Sequence, residues 1–271
     1  MRIKNWDFAL LGLGSLVLFG LTVGRDTNRE WKKYQKRYYQ MEYSQAMARG
    51  GKGPMEPLRY KINQIMIPGT DIVDRCTTCH LGFDNTEAGF EDNPYKAHPN
   101  PYQHPPEDFG CPICHGGQGL ATTVADAHGE RENWQYPILK SDYVQASCSK
   151  CHQDQELIKD APLLLKGKEL FAQYECLGCH SLRGEGEKDA PDLTNEGDKK
   201  RHEFDFGKYD SPKLTQADWQ FMHLKDPQVF NPDSEMPNLD LSDEEAKALT
   251  IYVLSLTEKE TPETLIYAKK P

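Results

Sequence analysis

The sequence predicts a mainly α-helical protein in three parts: an N-terminal transmembrane helix, a loop-rich middle module and a C-terminal all-α domain. Three observations predict it. Residues Phe8 to Val23 form an uncharged, almost wholly apolar run. Residues 76 to about 155 are rich in Pro, Gly, Asp and Asn, with little sustained apolar periodicity. From Pro162 onward apolar residues return at helical spacing. A chain of 271 residues has room for one or two domains. Its hydrophobic fraction of 37 % and mean hydropathy of −0.75 are thin for a core built of side chains alone. Large apolar groups held in the interior would relieve the shortage. The net charge of −10 and a pI near 5.4 exclude a general nucleic-acid binder, which needs a positive footprint.

The anchor is assigned to residues 1–24. The sixteen residues from Phe8 to Val23 rise only about 24 Å, short of a hydrocarbon core of about 30 Å, so a signal peptide competes with it. No A-x-A site follows the run, and a retained anchor is expected. Residues 25–60 form the next part. No Gly or Pro occurs from Arg25 to Arg49, and Trp31, Tyr34, Tyr38, Met41, Gln45 and Ala48 recur at helical spacing. One amphipathic helix is expected, its aromatic stripe packed on a partner or on the protein's own body. Gly50 to Pro54 ends it, and KINQIMIP (61–68) is expected to contribute a short extended piece.

Residues 61–160 make the middle module, which carries most of the chemistry. All eight cysteines fall in C-x-x-C pairs, and a histidine follows each pair at once: CTTCH (76–80), CPICH (111–115), CSKCH (148–152) and CLGCH (176–180). With nine histidines in the chain, chance does not produce four such coincidences, so the unit is C-x-x-C-H. Two thiols one helical turn apart add across the two vinyl groups of a haem, and the next histidine reaches the iron. Zinc has no use for the extra histidine four times over. A thioredoxin-like dithiol needs one motif in a βαβ setting. A disulfide framework does not bridge residues only three apart throughout. Four haem c are therefore expected, on thioethers from Cys76, Cys79, Cys111, Cys114, Cys148, Cys151, Cys176 and Cys179. The proximal iron ligands are His80, His115, His152 and His180. Gly116, Gly117 and Gly119 are read as leaving room for a backbone turn or a second haem.

Haem c is attached on the outer side of the energy-conserving membrane, which puts the N-terminus inside and the body outside. Arg25, Arg29, Lys32, Lys33, Lys36 and Arg37 then contravene the positive-inside tendency. Pairing with Asp26, Glu30 and Glu42, or with a partner, is expected to offset them.

Three histidines lie among the first three motifs, and His98, His104 and His128 are assigned as distal ligands in bis-histidine sites, with no pairing of ligand to haem. The opposing reading makes one of them a surface histidine and leaves the corresponding iron open or ligated by methionine; an open iron would make the protein a multihaem reductase or peroxidase. For the fourth haem, Met236 before Pro237 is the expected sixth ligand, since Met222 lies within a helix pattern. His202 and His223 read as polar or satisfied helix histidines.

Residues 161–260 form the C-terminal domain, with helices expected in LLLKGKELFAQYECLGCH, LTQADWQFMHLK and LSDEEAKALTIYVLSLT. In the last, Ser242 can cap with Glu245, and Ala246, Leu249, Val253 and Leu256 make the buried stripe. Residues 261–271 are a tail. From about 163 to 257, CLGCH, APDLTNEG (190–197), Met236-Pro237 and the closing helix with Tyr252 resemble a class I cytochrome c domain. DRCTTCHLGFD, HPPEDFGCPICHGGQGLATT and the AHG at 127–129 resemble the membrane-anchored multihaem cytochromes that accompany bacterial cytochrome b and Rieske-type quinol oxidoreductases or related respiratory complexes. That resemblance implies periplasmic electron transfer in a complex with integral-membrane subunits, and a soluble redox acceptor or donor such as a small cytochrome. Methionine ligation raises the potential, so electrons are expected to run from the three-haem segment to the His180/Met236 haem.

Overall fold

The computed structural model describes residues 5–51, 53, 57–99, 103–131, 134–152, 159–209, 211 and 214–258. The tail assigned to 261–271 lies outside the described residues. The fold is mainly α, and the chain divides into two compact units: residues 1–64 with 75–101, and residues 65–74 with 102–271. The first C-x-x-C-H motif thus belongs with the two long helices. The other three share the second unit.

In the first unit, α1 (Asn5–Thr27) is exposed from Trp6 to its end. Its stretch from Trp6 to Thr27, 22 residues, is long and apolar enough to cross a membrane, rising about 33 Å. The helix therefore extends past both ends of the apolar run and removes the shortfall in length. Its hydroxyls turn inward on the helix itself: Ser15 donates to the Leu11 carbonyl and Thr22 to the Leu18 carbonyl, each at 2.8 Å. Such internal pairing is what a low-dielectric surrounding requires.

The helix expected from Arg25 starts later. Residues Arg25 to Thr27 end α1, and α2 runs Glu30–Ala48. The break is chemical: Thr27 Oγ1 and Asn28 Nδ2 both donate to the Gly24 carbonyl, at 2.9 and 3.0 Å, taking over an acceptor at the helix end. Arg29 is then extended, with φ −57° and ψ 138°. Asp26 pairs with Lys32 at 3.0 Å and Arg29 at 3.6 Å, so part of the expected charge offset is present.

The stripe of α2 packs on the protein's own body. Trp31 and Gln35 are buried, and the Tyr38 ring meets Phe90 edge-on at 5.8 Å and Tyr95 at 6.0 Å. Gln35 Nε2 donates to the carbonyls of Lys61 and Thr78, while Lys61 N–H donates back to Gln35 Oε1. Burial pushes the Tyr38 phenol up to about 12.

The second unit opens on an antiparallel pair, β1 (Ile65–Met66) with β2 (Val73–Asp74), in the register Ile65 to Asp74. The extended piece expected in 61–68 is thus two residues long. Ile67 and Phe109 bury against Ile65, Ile72 and Ile113 to form a small core. Three one-turn helices follow: α3 (Pro106–Phe109), α4 (Pro112–His115) and α5 (Val124–Ala127). A tight 3-10 run spans Ser141–Lys150. The larger core lies beyond it, between α6 (Pro162–Gln173), α7 (Gln216–Lys225) and α8 (Asp243–Leu254). A second two-stranded pair, β3 (Ser181–Leu182) with β4 (Glu185–Gly186), follows the last motif.

The expected capping box forms. Ser242 Oγ accepts from Glu245 N–H at 3.2 Å, and Glu245 reaches back to Ser242 N–H at 2.9 Å. Ala246, Leu249, Val253 and Leu256 are all buried. Helix α6 meets α8 at Gly167, where a Cβ would stand 2.1 Å from the Ala248 carbonyl oxygen. No side chain can be added there without prising the helices apart. Gly167→Val is expected to destabilise the holoprotein by about 1–3 kcal/mol, read as a lower midpoint in chemical denaturation followed by far-UV circular dichroism.

Candidate haem attachment sites

Each of the four C-x-x-C-H motifs folds into a single turn, α-helical in the second and 3-10 in the other three. The histidine N–H donates to the carbonyl of the first cysteine in each: His80 to Cys76 at 3.0 Å, His115 to Cys111 at 2.9 Å, His152 to Cys148 at 3.0 Å and His180 to Cys176 at 3.0 Å. One turn of this kind puts both sulfurs on one side and starts the imidazole beside them. No disulfide joins any of the eight cysteines, and of these Cys179 alone is exposed. Burial pushes the thiols of Cys79, Cys148 and Cys176 up to about 11 and raises Cys114 as well. A thiolate for zinc or for disulfide exchange needs the opposite setting. An uncharged thioether suits an apolar seat, so the donor set fits a covalent haem c.

The first motif is stitched to its unit through Thr78. Its Oγ1 donates to the Asn63 carbonyl and accepts from Asn63 N–H, both at 3.0 Å, while its carbonyl accepts from Gln35. Burial raises the phenols of Tyr34 and Tyr95, and Cys79 adds to both shifts. His98 lies in the same unit, exposed, its ring 5.7 Å from Phe83 and its N–H on the Phe83 carbonyl at 2.8 Å.

The second motif starts on a buried carboxylate. Asp74, fully buried, accepts from Cys111 N–H at 2.5 Å, at the N-terminus of α4. Gly116 and Gly117 follow with φ of 71° and 74°. A Cβ on Gly117 would stand 2.4 Å from the Ala127 carbonyl oxygen, so a backbone turn fills the room these glycines leave. One segment then holds both histidines of this region: Leu139 N–H donates to the His115 carbonyl at 2.7 Å and Ile138 N–H to the His128 carbonyl at 2.9 Å. His115 and His128 are half-buried.

The third motif ties the second to the C-terminal domain. Lys150 Nζ donates to the Ile113 carbonyl at 3.1 Å. Ser149 Oγ donates to the Ser255 carbonyl at 2.9 Å, Lys247 pairs with Asp142, and Ala146 and Cys148 join the large core. His152 is exposed and has the ring of His104 at 6.1 Å, nearly perpendicular to it.

At the fourth motif, His180 Nδ1 lies 2.8 Å from the Pro191 carbonyl oxygen, which leaves Nε2 for iron. The loop carrying Pro191 is held by Asp192, whose carboxylate accepts from Ser181 Oγ at 2.6 Å and Thr194 N–H at 2.8 Å. Those hydrogen bonds hold the Asp192 carboxyl down at about 2, against an ordinary 3.8. Met236 is half-buried against the core, its carbonyl and that of Ser234 accepting from Gln228 Nε2 at 3.0 and 2.9 Å. Met222, also half-buried, sits within α7. His223 stacks on Trp219 at 4.8 Å, and its pKa is lowered by burial and by the charge of His180. His202 is exposed, with Nδ1 2.7 Å from Gln135 Oε1. The supporting roles of Asp74, Gln35 and Pro191 are not legible in the motifs, because each acts on a residue distant in the chain or through its carbonyl.

Residues 164–257 match the cytochrome c family, and a cytochrome c domain takes covalent haem c. The chain is 35 % identical over 98 residues to a subunit of the nitric oxide reductase of Paracoccus denitrificans, spanning 34 % of this chain and 58 % of that protein. It is 30 % identical over 92 residues to the cytochrome c oxidase subunit 2 of Alkalihalophilus pseudofirmus, spanning 34 % of this chain and 25 % of that protein. The chain thus covers less than two thirds of either relative. No solved structure matches.

Because the folded pKa of Asp192 is depressed, its contribution to the loop is complete above about pH 4 and is lost as pH falls toward 2. Asp192→Asn is expected to flatten the acid limb between those values, read in a pH titration of the haem absorption of the fourth site.

Proposed function

We propose that this chain is a membrane-anchored tetrahaem c-type cytochrome that passes electrons from a quinol-oxidising membrane partner to a soluble periplasmic acceptor. The observation that carries the reading is the hydrogen bond shared by all four motifs, from the histidine N–H to the first cysteine carbonyl. When bound, haem supplies reversible one-electron chemistry at its iron. Everything else falls to the chain. Each cysteine pair would hold a porphyrin covalently, and His80, His115, His152 and His180 would ligate from the near side. His98, His104, His128 and Met236 are the far-side candidates. The Pro191 carbonyl orients the His180 ring, and Gln228 fixes the backbone that presents Met236.

The contacts of the third motif support a relay, since they join the second motif on one side and the core of the cytochrome c domain on the other. The apolar span of α1 supports anchoring, with the body on the outer face where haem c is attached. Both relatives are by name subunits of larger enzymes, which supports a complexed state. A cytochrome b and Rieske-type assembly is the partner proposed, with a small soluble cytochrome as acceptor. Detergent extraction followed by identification of the co-purifying proteins tests that partner.

The full chain purified from membranes is expected to carry four haems by pyridine haemochrome assay, and three after the double change Cys176→Ala, Cys179→Ala. Fewer than four in the unaltered protein, or stoichiometric zinc, would overturn the reading. Carbon monoxide binding to the reduced protein would instead favour a reductase or peroxidase with one open iron. In a redox titration followed by EPR, the His180/Met236 haem is expected to have the most positive potential. Met236→His is expected to lower it by on the order of 0.1 V.

A further inference from the structure

We propose that His104 and His152 are the two axial ligands of a single haem, the one attached through Cys148 and Cys151. This inference rests on the haem reading above and deepens it, by assigning to the third haem a ligand that lies ahead of the second motif in the chain. The two rings belong to the same compact unit, 48 positions apart in sequence, with centroids 6.1 Å apart and planes at 85°. A metal held between two imidazoles by bonds of about 2 Å, each ring centre about 1 Å behind its nitrogen, separates the centres by about 6 Å. The observed spacing is that of two ligands across one metal. Both residues are exposed, so apolar burial does not account for their meeting.

Each ring is presented from a rigid seat. His104 stands edge-on against Phe109 at 5.3 Å, and Phe109 is buried in the small core with Ile67. His152 closes the turn on Cys148, and that turn is fixed to α8 through Ser149 and the Ser255 carbonyl. The rings are therefore placed by two independent cores before any ligand arrives. The assignment also orders the remaining histidines. His128 is left to His115, with which it shares the segment 138–139, and His98 to His80, in its own unit.

The angle between the rings gives the pairing a spectroscopic signature. In low-spin ferric haem, two coplanar imidazoles separate the iron π orbitals in energy, whereas two crossed imidazoles leave them close together. Crossed rings therefore produce a strongly anisotropic EPR spectrum dominated by one low-field feature.

EPR of the oxidised full-length holoprotein is expected to contain one such signal. It should vanish in Cys148→Ala, Cys151→Ala, which removes the third haem, and persist in Cys111→Ala, Cys114→Ala. His104→Ala is expected to keep four haems by pyridine haemochrome assay while converting that one signal to a high-spin form, with imidazole restoring the low-spin state. His104→Met, which retains a sixth ligand, is expected to move the same signal and leave the other three. The pairing is overturned if His104→Ala leaves every low-spin signal intact, or removes the signal that Cys111→Ala, Cys114→Ala also removes. In either case four haems still stand by count. Absence of haem on the third motif in the unaltered protein would instead overturn the tetrahaem reading itself.

Discussion

The hydrogen bond from the histidine N–H to the carbonyl four residues back is the constraint on which the rest of this structure depends. It closes one turn, and one turn is all each motif needs to gather two sulfurs and an imidazole. A longer helix would add nothing. Around the second motif the helices are four residues each, α3 and α4 beginning with proline and α2 alone supplying a long helical wall to the first. Pro106 and Pro112 sit at first-turn positions where a missing N–H costs no hydrogen bond. The middle of the chain is thus a set of short seats joined by loops.

Such a middle cannot be stable by side-chain burial. Ordering a residue costs about 1–2 kcal/mol of backbone entropy, and the core around Ile67 and Phe109 is small against the number of residues it has to order. The C-terminal domain is the contrast. There Leu164, Leu170, Leu249 and Ile251 are fully buried between α6 and α8, and Gly167 lets the helices meet at backbone contact. That domain supports the third motif as well as its own, since Ala146 and Cys148 lie in its core and Lys247 on α8 pairs with Asp142. Stability therefore flows outward from the domain that has a conventional core to the segment that lacks one.

This difference also explains what could be read from the sequence. The start of the closing helix was legible, because Ser242 and Glu245 announce the cap, and Ala246, Leu249 and Val253 announce one buried face; the burial of Ala248, Thr250, Ile251 and Tyr252 around it was not. The aromatic stripe of α2 was legible as a packing face for the same reason, a period of 3.6. Its start was not, because the break depends on Thr27 and Asn28 capturing the Gly24 carbonyl, a local competition that periodicity does not register. The spacing of the four motifs announced the single turn that each one forms. Their supports were not legible: Asp74 reaches Cys111 across 37 positions, Gln35 reaches Thr78 across 43, and Pro191 acts through a carbonyl that every residue possesses. Equally hidden was the grouping of the first motif with the long helices, which follows from contacts and not from order along the chain.

The interleaving of motifs and spare histidines has an energetic meaning in a segment so poor in core. A coordinate link between His104 and His152 would close a loop of roughly fifty residues, and for a cross-link as durable as a disulfide that constraint is worth about 4 kcal/mol in the unfolded chain. A ligand taken from within the motif's own neighbourhood would close a shorter loop and constrain less. Drawing the sixth ligand from ahead of the preceding motif would make the third iron a staple between segments that share little apolar surface. His104 would then have two functions in one ring: completing a metal site, and holding the wall formed by Phe109 and Ile67 to the turn that Ser149 fixes on α8. Under the proposed pairing, a cofactor between His104 and His152 would do in this part of the second unit what a larger apolar core does in the C-terminal domain.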